Sequence, residues 1–382
     1  MNGWLIDIGT KVTYLYKVTE GIKYDQLLLY YFSGTGNAKM CAHWFAEKAR
    51  EGGLDTHLIN IDRFSEIILP EHSGKRMIGF FSPTHGFNLP PIMLKFISRF
   101  PKNIEADVFI LNTRAGMKLY KFFLPGLSGV AQFFPALILK IKGYSIIGMQ
   151  PIDLPSNWVF LHPGLRKKVV LSMIEKHQRI VGQFADKLLS GGKKYMAFWS
   201  FPFDLLIAPV ALGYYFVGRF FLAKTLFATS RCNACMLCVE NCPTKAIKWI
   251  DDRPFWTWKC ESCMRCINRC PERAIQTAHG FTAFILYLST LVSAWIFTKI
   301  FVNYTDLYLM DKPWLNDLLW NVLISCVLLI LVFFAYRLMH YCLQFGWFSG
   351  LMDISSLSRW RWWRRYLPNK LNRKKNRNTD LS

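Results

Sequence analysis

The sequence lacks the usual signatures of nucleotide-dependent enzymes. No G-x-G-x-x-G follows an apolar strand, and no glycine-rich loop ends in Gly-Lys-Ser or Gly-Lys-Thr. The first pattern places a dinucleotide pyrophosphate at a helix N-terminus, and the second holds the phosphates of ATP. We therefore do not expect NAD or ATP to be the ligand.

Acidic residues are also scarce. The 382 residues, enough for two domains and further segments, contain 25 Asp and Glu against 47 Lys and Arg, a formal net charge of +22. Aromatic residues make up 16%, and the mean hydropathy of +0.17 is high for a soluble protein. A chain both basic and apolar favours contact with a membrane surface and makes nucleic acid the weaker alternative.

An export signal is absent from the first segment. Residues 1–23 contain no basic stretch followed by an apolar core, so we expect no secretory signal. Disulfides would need an oxidising compartment, and we expect the cysteines to be reduced. Cys41, Cys326 and Cys342 lie in apolar contexts and are interpreted as small apolar side chains.

The other eight cysteines form one pattern twice. Each copy reads C-x2-C-x2-C-x3-C-P, and the copies are Cys232, Cys235, Cys238, Cys242-Pro243 and Cys260, Cys263, Cys266, Cys270-Pro271. This run is the signature of bacterial two-cluster ferredoxins, in which three cysteines of one copy and the last of the other hold each [4Fe–4S] cluster. We assign Cys232, Cys235, Cys238 and Cys270 to the first cluster, and Cys260, Cys263, Cys266 and Cys242 to the second. Zinc also binds C-x2-C pairs, but it gives no reason for the third and fourth cysteine of each run.

An earlier part of the chain alternates apolar strands with glycine-containing turns. Gln26 to Phe32 is apolar, ends in Ser33-Gly34-Thr35-Gly36-Asn37 and continues with helical periodicity. Three further strands are predicted at 77–81, 106–111 and 144–148, followed by a helix over 165–189. This alternation predicts a doubly wound parallel sheet, whose ligands bind beyond the carboxyl ends of the strands. The turn at Gly36 would offer backbone N–H groups to an anion.

These motifs resemble a flavodoxin-like domain, and their order resembles the bacterial flavodoxin-ferredoxin fusion family over residues 25–277. The resemblance implies that Ser33, Gly34, Thr35, Gly36 and Asn37 hold the phosphate of FMN. It places Thr84, His85, Gly86 and Phe87 along one side of the flavin ring, and Asn112, Thr113, Arg114 and Gly116 in the opposite loop.

The sequence departs from that family at the ring loops. The usual stacking Trp or Tyr is not identifiable, so Phe87 or Tyr120 would have to serve, and the acidic residues common in the ring loops of short soluble flavodoxins are missing. Arg114 would favour the anionic reduced flavin. A flavodoxin fold without flavin stays open as the alternative, and His85 is interpreted as a hydrogen-bonding loop residue rather than a catalytic acid.

Two segments are long and apolar enough to cross a membrane, at residues 281–302 and 318–340. The loop between them carries Asp306, Asp311 and Asp317, whereas Arg337 and a Lys- and Arg-rich tail follow the second. By the positive-inside rule both ends, and hence the cofactor domains, face the cytoplasm. The apolar stretch 195–222 is interpreted as a surface-lying or docked helix, because a single crossing would separate the flavin from the clusters.

The predicted organisation is an N-terminal extension (1–24), a flavodoxin-like domain (25–190), an apolar linker (191–227), a two-cluster ferredoxin domain (228–278), two transmembrane helices and a basic aromatic tail (341–382). We predict a protein of the cytoplasmic membrane that passes electrons between FMN and two [4Fe–4S] clusters. Its expected partners are an unidentified redox protein and membrane lipid, with a quinone as an additional candidate and no nucleic acid. The alternatives are a flavin-dependent reductase with its own small substrate and a redox-sensing or assembly subunit. His279 and His340 would flank the spans, and ligation of haem, a quinone pocket and a plain interfacial role stay open for them.

Overall fold

The computed structural model describes residues 22–365, apart from 63, 65, 66, 68, 71–73, 103, 121 and 300–311. Most of the N-terminal extension, Asp306 and Asp311 of the acidic loop, and the tail beyond Arg365 therefore lie outside the described residues. The described chain divides into two compact units. The first takes in the residues up to Asn157 and Gly164–Leu212, and the second takes in Trp158–Pro163 and Gly213–Arg365. The predicted domain boundaries stay predictions.

The first unit is built on a six-stranded parallel sheet. Its strands are β1 (Gln26–Tyr31), β2 (Asp55–Asn60), β3 (Arg76–Pro83), β4 (Ala106–Ala115), β7 (Ser145–Leu154) and β8 (Lys194–Tyr195), in the order β2-β1-β3-β4-β7-β8. A separate hairpin joins β5 (Met117–Leu119) and β6 (Phe122–Leu124). Apart from the two-residue β8, the strand order is the 2-1-3-4-5 order of flavodoxin-like folds. The predicted doubly wound fold is confirmed.

Helices cover both faces of this sheet. They are α1 (Asn37–Glu51), α2 (Pro91–Arg99), α3 (Phe133–Ile141) and α4 (Lys167–Leu189), followed by the short α5 (Phe201–Leu206) and α6 (Ala208–Gly213). Because neighbouring strand residues point to opposite faces, Leu29 joins the cluster that contains Phe45 of α1, whereas Tyr30 packs on Phe96 and Phe100. β1 is buried over its whole length, as its continuous apolar run predicts.

Gly79 shows how tightly the sheet packs in its centre. A Cβ at this position would lie 2.3 Å from Cζ of Phe109 on the adjacent strand. The Phe109 ring in turn stacks on Phe45 of α1 with a centroid distance of 4.6 Å. Glycine is therefore the residue that lets two aromatic side chains fill this space.

The second unit contains two small antiparallel ribbons. β9 (Leu226–Ala228) pairs with β12 (Ile275–Thr277), and β10 (Ile247–Ile250) pairs with β11 (Arg253–Trp256). The helices are α7 (Arg219–Ala223), α8 (Leu237–Glu240), α9 (Arg265–Arg269), α10 (His279–Phe297), α11 (Pro313–Cys342) and α12 (Gly346–Ser355). In the chain, the first cysteine run connects β9 to β10, and the second connects β11 to β12.

The helices α10 and α11 are each long and apolar enough to cross a membrane. α11 begins five residues before the predicted start at 318, and residues 300–302 of the first predicted span lie outside the described residues. The stretch interpreted as one docked helix is broken: Met196–Leu206 and Ala208–Ala223 are bent by 75° and pass the same test only as a pair. Within the described residues, the number of candidate spans is thus two, or three if that pair counts as one span.

Candidate iron-sulfur and flavin sites

The two cysteine runs fold in the same way. Left-handed backbone conformations, which are uncommon outside glycine, occur at the second and fourth residue after the first cysteine of each run. They are Ala234 and Met236 in the first run, and Ser262 and Met264 in the second. The residue three positions after the last cysteine of each run also has a left-handed conformation, Lys245 at φ 49° and Arg273 at φ 50°. The repeated sequence therefore folds into a repeated set of turns.

These turns direct backbone N–H groups at sulfur. The N–H of Ala246 donates to Sγ of Cys242 at 3.2 Å, and the N–H of Ala274 donates to Sγ of Cys270 at 3.3 Å. The N–H of Ser262 donates to Sγ of Cys260 at 3.4 Å. Hydrogen bonds of this kind stabilise a thiolate and are one of the factors that set the potential of an iron-sulfur cluster.

The thiols of the first run lie with the last cysteine of the second. Burial raises the pKa of Cys238 to about 11, and the negative charges of Cys232 and Cys270 add to the increase. Repulsion between charges weakens as their separation grows. Cys238 and Cys270 also pack against the same apolar cluster, and the assignment of these cysteines to one cluster stays a prediction.

The thiols of the second run lie with the last cysteine of the first. Burial raises the pKa of Cys263 to about 11, and it also raises the pKa values of Cys260 and Cys266. In all three cases the charge of Cys242 contributes to the increase. Buried thiolates need a compensating cation, which the iron of a bound cluster would supply.

The chemistry of these donors fits two clusters. A [4Fe–4S] cluster takes four thiolates, one on each iron, so its ligands do not converge on a single atom. Among the described residues, no three His, Cys, Asp or Glu side chains are arranged to hold one metal ion. The alternative of two zinc ions gains no support from this geometry.

The predicted phosphate loop lies between β1 and α1. Gly36 has a φ of 122°, and its N–H donates to Oγ of Ser33 at 3.0 Å. Asn37, the first residue of α1, donates through Nδ2 to the carbonyl of Pro155 at 2.9 Å, and Thr35 accepts a hydrogen bond from Asn157. The first turn of α1 carries no acidic residue and no side-chain cap, so its N–H groups suit a phosphate.

The first ring loop is held by its own backbone. His85 and Asn88 exchange backbone hydrogen bonds of 2.7 and 3.1 Å, and Gly86 and Phe87 both have positive φ. The carbonyl of Phe87 accepts the N–H of Val130 at 2.9 Å. His85 is buried, which suits a structural role. Tyr120, the other candidate for stacking on a ring, is 94% exposed.

The second ring loop requires a correction. Asn112, Thr113 and Arg114 continue β4, which extends to Ala115 because this segment pairs with Pro151–Leu154 of β7. Asn112 is fully buried, donates to Oγ1 of Thr84 at 2.5 Å and to Oγ of Ser128 at 3.2 Å, and accepts a hydrogen bond from Gln132.

Arg114 is also paired with another side chain of the protein. Its guanidinium pairs with both carboxylate oxygens of Asp153, at 2.8 and 3.3 Å. The same carboxylate accepts the N–H of Gly126 at 2.8 Å, and a Cβ at Gly116 would lie 2.5 Å from Cβ of Asp153. The charge that was expected to favour anionic flavin is therefore balanced by a neighbouring carboxylate.

Sequence reasoning missed the role of Asp204. This side chain is 1% exposed, and one of its oxygens accepts the N–H groups of Ser128 and Gly129, both at 2.7 Å. The other accepts the hydroxyl of Ser200 at 2.6 Å. The available signal was an isolated aspartate inside an apolar stretch, which in a folded protein has to be paired.

His279 and His340 each have partners in the second unit. Nε2 of His279 donates to the carbonyl of Phe160 at 2.9 Å, and its Nδ1 accepts the N–H of Leu357 at 3.0 Å. Nε2 of His340 donates to the carbonyl of Ile250 at 3.0 Å. These contacts suit structural histidines better than haem ligands, since both nitrogens of His279 are engaged.

Residues 224–271 match the family model of the 4Fe-4S dicluster domain. The matched segment contains both cysteine runs, and the predicted iron-sulfur domain is confirmed. A search of curated proteins gives no match to this chain.

Solved structures give remote similarities. A flavodoxin from Streptococcus pneumoniae is 16% identical over 43% of this chain and 97% of its own, with a TM-score of 0.29. The Megasphaera elsdenii flavodoxin is 14% identical over 42% of this chain and 99% of its own, with a TM-score of 0.27. Rubredoxin oxygen:oxidoreductase of Desulfovibrio gigas is 15% identical over 46% of this chain but only 38% of its own length, with a TM-score of 0.27. At these TM-scores the similarities carry no argument, and the flavodoxin-like fold rests on the strand order.

Proposed function

We propose that this chain is a membrane-anchored electron-transfer protein that passes electrons between FMN and two [4Fe–4S] clusters. The observation that carries the proposal is the doubled ligand loop. Both cysteine runs repeat the same left-handed turns, and the last cysteine of each receives an N–H···S hydrogen bond from the fourth residue after it. Such a pair of sites serves one-electron transfer.

FMN is the proposed partner of the clusters within the chain. The flavodoxin-like strand order and the uncapped N-terminus of α1 support it, with Ser33, Thr35, Gly36 and Asn37 around the phosphate. A flavin exchanges electrons in pairs or singly, so it would connect a two-electron partner with one-electron clusters. The protein would supply the phosphate site and the loop Thr84–Phe87 beside the ring.

Membrane anchoring by α10 and α11 is part of the proposal. Their length and composition support it, and the basic residues after α11 favour a cytoplasmic position for the C-terminal side. The ferredoxin segment is itself rich in Lys and Arg, so an acidic redox protein or an anionic lipid surface would be attracted to it.

One feature of the second unit favours a lipid-soluble quinone as the membrane partner. An open groove of about 410 Å³ is lined only by apolar side chains: Phe220, Trp258, Leu329, Ile330, Phe333 and Phe334. The Trp258 and Phe333 rings are nearly parallel, at 8°, and Trp258 precedes Cys260 by two residues. Flat aromatic side chains beside an apolar helix suit a ligand with a flat ring and a hydrocarbon tail.

The groove is tested by photolabelling the full chain in detergent with a short-chain azidoquinone. We expect labelling of Trp258 or 329–334, and Ile330→Trp should lower it while Leu338→Trp, an exposed position outside the groove, should not. An alcohol with the same hydrocarbon chain should compete with the label less strongly than the quinone does. Equally strong competition by the alcohol would instead identify a groove for lipid chains.

The main experiment is anaerobic purification of the full chain in detergent, followed by iron, sulfide and flavin analysis and by optical and EPR titration. We expect about eight iron atoms per chain, from two four-iron clusters, and bound FMN. Cys263→Ser should lose iron, whereas Cys326→Ser, which changes an exposed cysteine outside the runs, should not. Protein without FMN would refute the flavin site, and spectra without two interacting clusters would refute the electron path.

Two other functions would give different results. A flavin-dependent reductase would turn over a small acceptor when supplied with a reductant. In a sensing or assembly subunit, Cys263→Ser would abolish folding or signalling without changing any rate of electron transfer.

A further inference from the structure

Lys224 is a buried cation in the second unit. The residue is 3% exposed and lies between α7 and β9. Its ammonium donates a hydrogen bond to the carbonyl of Trp256. It also lies over the rings of Phe255, Trp258 and Tyr336, at 4.7, 4.8 and 4.5 Å from their centroids. The partners identified are thus a neutral carbonyl and three aromatic rings.

No carboxylate compensates this charge. Within the described part of the chain, no ion pair joins Lys224 to Asp or Glu. Burial lowers the pKa of Lys224 to about 8, while the negative charge of Cys260 acts in the opposite direction. Aromatic faces attract a cation, but a desolvated charge usually also has an ionic partner.

Lys224 lies next to the second group of thiols. Trp256, whose carbonyl receives the ammonium, belongs to the same packed cluster as Cys260 and Cys266. Trp258, whose ring lies below the ammonium, precedes Cys260 by two residues. The segment 255–258 therefore contacts the ammonium and lies close to these thiols.

Arg365 is a second cation near the thiols, and it is partly buried. Its guanidinium donates to the carbonyls of Ile267 and Ile275 at 2.9 and 3.0 Å, and to Oε1 of Gln276 at 2.7 Å. All three acceptors are neutral. Burial lowers the pKa of Arg365 to about 10, Arg273 adds to the decrease, and the charges of Cys270 and Cys266 oppose it. Lys224 and the partly buried Arg365 thus lie near the thiols and donate to neutral acceptors. Arg265, which is buried and lowers the pKa of Cys263, is a further cation at the second group.

We propose that Lys224 is a charge-compensating residue for the cluster of Cys242, Cys260, Cys263 and Cys266, and that Arg365 has the same role for both clusters. This inference rests on the proposed function, because it requires both clusters. A [4Fe–4S] cluster with four thiolates is anionic and gains a negative charge on reduction. A cation near it in a medium of low dielectric constant stabilises the reduced form and raises the reduction potential.

The test is a potentiometric EPR titration of the full chain in detergent. Lys224→Met should shift one midpoint potential downward and leave the other nearly unchanged, whereas Arg365→Met should lower both. Lys224→Arg and Arg365→Lys keep the charge and should restore most of each shift. Lys248→Met and Arg361→Met, which remove exposed charges, should move neither midpoint appreciably.

Iron content separates the possible failures. Wild-type protein without two clusters would refute the proposed function itself. Variants with a full iron complement and unchanged midpoint potentials would overturn only the charge-compensating role. A midpoint shift in Lys224→Arg as large as the shift in Lys224→Met would overturn it as well. If Lys224→Met loses iron, the smaller polar change Lys224→Gln is titrated, and an unchanged midpoint there also overturns the assignment.

Discussion

Gly129 offers a sharp test of how the loop beside the proposed flavin site is held. Its φ is +56°, and a Cβ would lie 2.5 Å from the carbonyl oxygen and 2.6 Å from Cβ of Phe87. Gly129→Ala therefore combines about 1–2 kcal/mol for a left-handed alanine with about 1–3 kcal/mol for overpacking. The expected loss of stability is about 2–5 kcal/mol, or on the order of 10 °C in the melting temperature.

The matched control is Gly182→Ala. Gly182 is inside α4, and the nearest atom to an added Cβ is Cε of Lys48 at 3.9 Å. This change should stabilise the protein by about 0.5–1 kcal/mol because alanine loses less backbone entropy in a helix than glycine does. The two variants should thus move the melting temperature in opposite directions.

Thermal unfolding in detergent and hydrogen exchange of the full chain measure both effects. In Gly129→Ala, exchange should increase at the amide of Val130, which donates to the carbonyl of Phe87 at 2.9 Å, because opening of this contact becomes easier. A Gly129→Ala protein with wild-type melting and wild-type exchange at Val130 would refute the packing described for this loop.

Two further predictions follow from single residues. Asp153→Ala leaves the buried guanidinium of Arg114 without its carboxylate and should cost about 3–5 kcal/mol in thermal unfolding; a loss within experimental error would show that the pair is not needed. Burial lowers the pKa of His177 from its ordinary value of 6.5, so the unfolded chain binds the proton more tightly and stability should fall as the pH drops below about 6.5. His177→Leu should flatten this pH dependence of stability. An unchanged slope in the variant would show that His177 does not cause it.

Local patterns predicted much of the architecture. The cysteine spacing identified the iron-sulfur segment because each ligand loop is built within a few residues of its own sequence. Apolar runs followed by glycine turns identified β1, β3, β4 and β7, and helical periodicity identified α4. The short β2 was not recognised, since its residues Asp55–Asn60 alternate in exposure and are mostly polar, which is the pattern of an edge strand.

The ring loops show where local reasoning ended. Asn112 to Ala115 looked like a loop because the apolar run stops at Leu111, but pairing with β7 keeps the segment extended. The partner of Arg114 is 39 residues away in sequence, and Asp204 binds a loop 75 residues before it. No local periodicity carries information about such partners.

By itself, the sequence determined the two ligand runs, the alternation of strands and helices, and two apolar segments of membrane length, because spacing, periodicity and hydropathy are properties of neighbouring residues. Only the tertiary structure decided that Arg114 is balanced by Asp153, that Asp204 accepts the N–H groups of Ser128 and Gly129, and that Lys224 and Arg365 lie near the thiols. The reason is that burial and charge compensation depend on residues that meet only after the chain has folded.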